Sequence, residues 1–126
     1  MATDHSVAVH KALYAALDGN ISAPVFDGPR PDGTFPYVVI NDSRMVPDDT
    51  KVVKCGIYRV SIDVWSRDAG QNQAKAILAE IYGILHAVDA TIAGAGAWTL
   101  ENQYVFRDAD FLTVHGVADY SLFITN

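Results

Sequence analysis

Apolar residues recur along the chain with two different periods. Val9, Ala12, Leu13, Ala16 and Leu17 fall at i, i+3, i+4, i+7 and i+8, which gathers them into one stripe of a helix over about 4–18. Asp4 or Ser6 is placed to cap its start, and Gly19-Asn20 to end it through a left-handed residue. Ala74, Ile77, Leu78, Ile81, Leu85 and Val88 repeat the helical pattern and predict a second helix ending near Ala87, with Ser66 or Asp68 as its cap. Gly83 lies inside that helix and costs about 1 kcal/mol relative to alanine. Close packing of that turn on a sheet would account for it.

Between and after the helices the period drops to two. Tyr37-Val38-Val39-Ile40 is β-branched and aromatic with Pro36 at its mouth, and a short strand at Val25-Phe26 precedes it. The intervening stretch from Pro24 to Pro36 is rich in turn signals: Asp27-Gly28-Pro29, Pro31-Asp32-Gly33 and Phe35-Pro36. Arg44 to Lys54 reads as a long polar loop. From Cys55 to Trp65 the pattern alternates, with Tyr58, Val60, Ile62 and Val64 on one side and Arg59, Ser61 and Asp63 on a wet side. Asp63 and Arg59 share that side and are expected to form a surface ion pair. Ala90 to Ala97 is a small-residue connector or weak strand, Trp98 to Arg107 a strand, Asp108-Ala109-Asp110 a turn, and Thr113 to Thr125 a last strand. In that strand Ala118, Tyr120, Leu122 and Ile124 oppose Asp119, Ser121 and Phe123. Connections of hairpin type predict an α+β fold: a mainly antiparallel sheet with two amphipathic helices packed on one face. With no repeat and no composition break, the 126 residues are expected to form one domain.

Composition narrows the function chiefly by exclusion. Half the residues are hydrophobic, enough for one real core. Nine basic against fifteen acidic residues give a net charge of −6, against the basic stripe of a nucleic-acid binder. The N-terminus lacks the basic patch and apolar run of a secretory signal, and no window reaches a bilayer-spanning length. A soluble protein of a reducing compartment is expected. One cysteine, Cys55, permits no internal disulfide. No phosphate-binding glycine loop is present, and the glycines at 94 and 96 lack its lysine. His5 and His10 are five apart and diverge on a helix, while His86 and His115 lie far along the chain, so neither a metal nor a cofactor is expected. Cys55 with His115 could form a nucleophile and base, but a buried structural cysteine is the plainer reading. The acidic pairs Asp48-Asp49 and Asp108-x-Asp110 fall in turns, where aspartate bonds its own backbone. Trp65, Trp98 and Phe123 are expected on or near a face the helices leave uncovered, where large apolar side chains mark interfaces.

Three stretches in order, behind a leading amphipathic helix, carry a family resemblance. They are Phe35-Pro36-Tyr37-Val38-Val39-Ile40, then Val64-Trp65-Ser66-Arg67-Asp68-Ala69-Gly70 leading into the helix, then Arg107-Asp108-Ala109-Asp110-x-x-Thr113-x-His115-Gly116. Together they resemble the tail-completion or tail-terminator family of long-tailed bacteriophages and gene transfer agents, over about 7–125. Phe111 stands where that pattern carries a glycine, and Val114 where a basic residue precedes the histidine. The resemblance implies a structural virion protein without an active site or cofactor. Such a protein forms a ring, generally hexameric, on the head-proximal end of the tail tube, ends tube polymerisation and joins the tail to the head connector. Its implied partners are itself, the tail tube protein and the connector or stopper protein, with DNA passing through the ring unbound and no membrane contact. It would be assembled in the bacterial host cytoplasm. Contacts are expected from Arg44, Asp48, Asp49 and Lys51 in the polar loop, from Trp65, Arg67 and Asp68, and from Arg107, Asp108, Asp110 and His115. A small-molecule-binding or enzymatic α+β domain is the alternative. It would need a pocket with converging polar groups, and the sequence offers no such cluster.

Overall fold

The computed structural model describes residues 5–28, 34–47, 55–87 and 95–125. The elements run α1 (Ser6–Leu17), β1 (Val25–Phe26), β2 (Tyr37–Pro47), β3 (Cys55–Ser66), α2 (Asn72–Ala87), β4 (Ala95–Arg107) and β5 (Val114–Thr125). The strands form one sheet in the order β1-β2-β3-β5-β4. β1 runs parallel to β2, and every other neighbouring pair is antiparallel. This is the expected α+β arrangement with a parallel edge strand added.

Both helices pack on the same face. Their stripes, Val9, Leu13 and Leu17 from α1 and Ala74, Ile77, Leu78, Ile81 and Leu85 from α2, are buried in one cluster with Val38, Ile40, Tyr58, Val60, Ile62, Val64, Ala118, Tyr120, Leu122 and Ile124 of the sheet. The predicted faces of both helices and of β3 and β5 are those observed, apart from Val88, which lies outside the described residues. Burial of each large aliphatic side chain is worth roughly 1.5–3 kcal/mol, so this interface dominates stability. At Gly116 an added Cβ would come 2.9 Å from Leu78 Cδ1, so a glycine on β5 is what lets α2 approach the sheet. A second link ties the α1–β1 connection to α2, where Ser22 Oγ donates to Glu80 Oε2 at 3.0 Å.

Several local expectations are corrected. α1 begins after His5, whose side chain makes no capping hydrogen bond. Its other end follows the sequence: Gly19 adopts φ +77°, Asn20 N–H donates to Leu17 O at 3.0 Å, and the Asn20 side chain donates to Ala16 O at 3.0 Å. Neither Ser66 nor Asp68 caps α2, which starts only at Asn72; both instead order the connecting loop, where Asp68 N–H donates to Ser66 Oγ at 3.2 Å. Arg44 to Pro47 is not loop but the continuation of β2 beyond a register shift after Ile40. A bulge absorbs the irregular hydropathy that hides this half of the strand. Trp98 is buried on the helix face, edge-on to Tyr58 at 6.4 Å, and not on the open face. Gly83 is exposed, and a Cβ there meets nothing within 4 Å, so sheet packing does not explain it. No described helix is long and apolar enough to cross a membrane.

Two outcomes follow from this packing. Gly83→Ala adds a methyl group to an open helical position and should raise stability by about 1 kcal/mol, measured as a shift in the urea midpoint. Ile81→Asp puts a charge at a fully buried position and should cost several kcal/mol, on the order of 4 or more. Circular dichroism of that variant should show loss of the cooperative transition.

Candidate interaction face

Strand alternation sends the other half of the sheet residues to the face opposite the helices. No described element covers that face. At the end where β2 begins, the register sets Tyr37 opposite Trp65, Trp65 opposite His115, and His115 opposite Phe106. Their rings form a continuous row across β2, β3, β5 and β4. Tyr37 and Trp65 centroids are 6.3 Å apart, Trp65 and His115 stack at 3.8 Å and 14°, and Phe106 lies 4.9 Å from His115. Phe26 of β1 extends the row edge-on to Tyr37, and Tyr104 stacks beside Phe106 at 5.9 Å. Tyr104 and Phe106 are 47% and 40% exposed. At the far end Ile57 pairs with Val46 and Phe123, the latter also largely exposed.

Below the aromatic row the face turns acidic and polar. Asp63, at 5% exposure, is a buried charge on a face with no covering layer. Asn41 Nδ2 donates to its Oδ2 at 2.6 Å, and its Oδ1 lies 3.2 Å from His115 Nε2. That approach is close but not in line for a hydrogen bond, so Nε2 is buried without an aligned acceptor. The expected Asp63–Arg59 surface pair does not form. Four strand residues span about 13 Å, so partners come from neighbouring strands: Arg59 pairs with Glu101 of β4. Ser61 Oγ donates to Asp119 Oδ1 at 2.6 Å in the same way.

Beside the aromatic row the loop after β3 meets the β4–β5 turn. Asp110 organises that turn by accepting from the Leu112 N–H (2.9 Å), the Thr113 N–H (2.8 Å) and Thr113 Oγ1 (2.7 Å). These hydrogen bonds, led by the Thr113 backbone and side chain, hold its carboxyl below the ordinary value of 3.8. Asp108 accepts from the Ala109 N–H at 2.8 Å. Arg67 Nε donates to Thr113 Oγ1 at 3.2 Å, and its guanidinium lies 4.4 Å over the Phe35 ring. Arg107 donates to Phe111 O and to Ala69 O, both at 3.4 Å, and so ties the turn to the loop. The tip carries Phe111 and Leu112, 77% and 64% exposed.

The structure thus brings together Trp65, Arg67, Asp68, Arg107, Asp108, Asp110 and His115 at one end of the sheet. Arg44 lies apart, opposite Arg59 towards the other end of β2. Asp48, Asp49 and Lys51 lie outside the described residues. Cys55 and His115 do not meet, since His115 pairs with Trp65, ten residues and about 33 Å of strand away. Tyr37, Tyr104, Phe106 and Asn41 belong to the face without being among the expected contact residues, and Asp63 was expected there only as the partner of Arg59. Only the cross-strand register joins them, and a single strand's alternation does not reveal it.

Nothing in this arrangement is a catalytic constellation. Among the described residues no group of three or more His, Cys, Asp or Glu could hold a metal ion. A shallow hollow of about 360 Å³ is lined by Arg44, Arg59, Glu101 and Asp119 among others; Arg59 is paired with Glu101 and Asp119 accepts from Ser61 across strands. Another hollow, beside Tyr82 and Trp98, is met by the buried Tyr120 hydroxyl. Burial, and then neighbouring Tyr82, pushes that hydroxyl up to about 12.

The fold is an α+β sheet with one helix-covered face and one open face carrying an aromatic row. The family described as "Tail completion protein gp17" matches residues 7–125, so the chain belongs to that family. It is a structural tail-completion protein of a phage-type virion. The fold is similar to that of a chain in the solved "Virion of native gene transfer agent (GTA) particle", with a TM-score of 0.74 and 17% identity. That match covers 95% of this chain and 93% of the other. No curated protein matches the chain.

Asp110→Ala removes the three bonds that close the turn and should lower the melting temperature at neutral pH. A carboxyl held below its ordinary value stabilises the fold above 3.8 and loses that contribution as pH falls through the lowered value. The gap in melting temperature between wild type and variant should therefore close below that pH, read by thermal scans in acid.

Proposed function

We propose that the protein caps the head-proximal end of a tail tube as a closed homo-oligomeric ring, a hexamer, and there ends tube growth and receives the head connector. The observation that carries this reading is the uncovered sheet face with exposed Tyr104, Phe106, Val46 and Phe123, in a chain that belongs to a tail-completion family. A solved monomer rarely leaves so many large apolar side chains on one face without a partner. Tail tube protein and connector are the partners of the ring's two ends. DNA passes through without a specific contact, in keeping with a net charge of −6. Assembly takes place in the bacterial host cytoplasm, and the ring ends in the virion.

Light scattering over a wide concentration range tests the ring. A species near six times 13.7 kDa supports it, and a strict monomer counts against it. Tyr104→Glu with Phe123→Glu alters exposed positions only. It should leave the melting temperature within about 2 °C of wild type while shifting assembly to higher concentration.

A further inference from the structure

Phe111 has φ +59°, the one positive φ at a non-glycine position among the described residues. A bulky side chain is sterically disfavoured there, where glycine or asparagine sits without penalty. Nothing inside the fold compensates. The ring is 77% exposed, and the bonds that shape the turn are made by Asp110, Asp108, Arg107 and backbone atoms, all of which another residue at 111 would leave in place. The fold therefore holds an aromatic ring and Leu112 in water on a rigid tip.

A receptor of suitable size lies at the opposite edge of the sheet. A hollow of about 460 Å³ opens between α1 and β1, walled by Tyr14, Val25 and Phe26 and rimmed by His10, Lys11 and Asp27. The row Val25, Val38, Val64, Gly116, Val105 crosses the sheet from that edge to the strand that carries the tip. Four strand spacings make this about 19 Å, so a chain cannot fill its own hollow. The rims match in charge. Lys11 borders the hollow and Asp108 flanks the tip, so these two charges have an opposite to meet, while Asp27 keeps its contact with His10 at 3.5 Å.

We propose that the Phe111–Leu112 tip of one copy seats in the α1–β1 hollow of the next copy. Knob and hollow on opposite edges give a head-to-tail contact, which repeats around a closed ring. The inference rests on the ring reading and names the surfaces that would build it. It also gives the strained residue a use: the left-handed backbone turns an aromatic ring outward that a relaxed turn would not present.

Phe111→Asn keeps a residue that tolerates the left-handed conformation. It should leave the melting temperature unchanged or raise it, while the concentration for half-assembly rises at least about tenfold. Leu112→Cys combined with Lys11→Cys places one thiol on each surface. Mild oxidation should give a ladder of disulfide-linked copies that the single variants, with their native Cys55, do not give. A wild-type chain that assembles while Phe111→Asn assembles equally well overturns this contact and leaves the ring intact. A double-cysteine ladder no stronger than that of the single variants does the same. A wild-type chain that stays monomeric, with no ladder, overturns the ring and the contact together.

Discussion

The antiparallel ladder between β3 and β5 is the constraint on which the rest depends. It runs without a break from Ser66 opposite Val114 to Cys55 opposite Thr125. One register sets both faces at once. It puts Gly116 beside Val64 on the covered side, where Leu78 of α2 needs the missing Cβ, and it puts His115 against Trp65 on the open side. A slip by one residue would send Trp65 and His115 into the helices and Leu122 and Tyr120 into water. The core and the candidate interface are therefore not separate designs. The same hydrogen-bond ladder that makes the apolar face continuous aligns the aromatic row.

Elements with a clean period were legible in the sequence, and those shaped by partners were not. The stripe Ala74 to Leu85 and the alternation Tyr58 to Val64 encode their own burial, because each residue's face follows from its position in one segment. Asp63 shows the limit. Its alternation marks it correctly as facing away from the helices, but the contacts that accompany its burial come from Asn41 and His115 on the two neighbouring strands. Arg44 to Pro47 was hidden for a related reason. The shift after Ile40 breaks the period that would have announced a strand. Of the candidate site, the residues near Trp65 and near Asp110 could be found as two sequence clusters. That Arg67 and Arg107 join them, through Thr113 and Ala69, is a property of the fold alone.

The carboxylates bear on what the net charge means. Asp110 is spent on Thr113, Asp119 on Ser61, Asp63 on Asn41, Glu101 on Arg59 and Glu80 on Ser22. A sequence count of −6 treats them as a diffuse field, yet Glu101 beside Arg59 and Asp110 at 3.9 Å from Arg67 are offset at short range, while neutral Ser and Asn donors fasten the others without changing their charge. The field of exposed acids such as Asp18 and Asp42 is screened beyond about 8–10 Å at physiological salt. Of the basic residues, Arg59, Arg67 and Arg107 are each engaged with a neighbour.

Local economy and surface exposure point in opposite directions across this molecule, and the contrast locates its function. Several polar groups on the open face are satisfied across strands, down to a buried aspartate held by an asparagine. The apolar groups on that face and at its tip are not: Tyr104, Phe106, Phe111, Leu112 and Phe123 remain in water. A chain that needed only to fold would gain by exchanging Phe111 for a residue suited to its backbone and by trading Phe123 for a polar neighbour of Ile57. Both substitutions are open to it, because neither side chain supports the core. What such changes would remove is an apolar surface with fixed geometry, which the fold itself does not use.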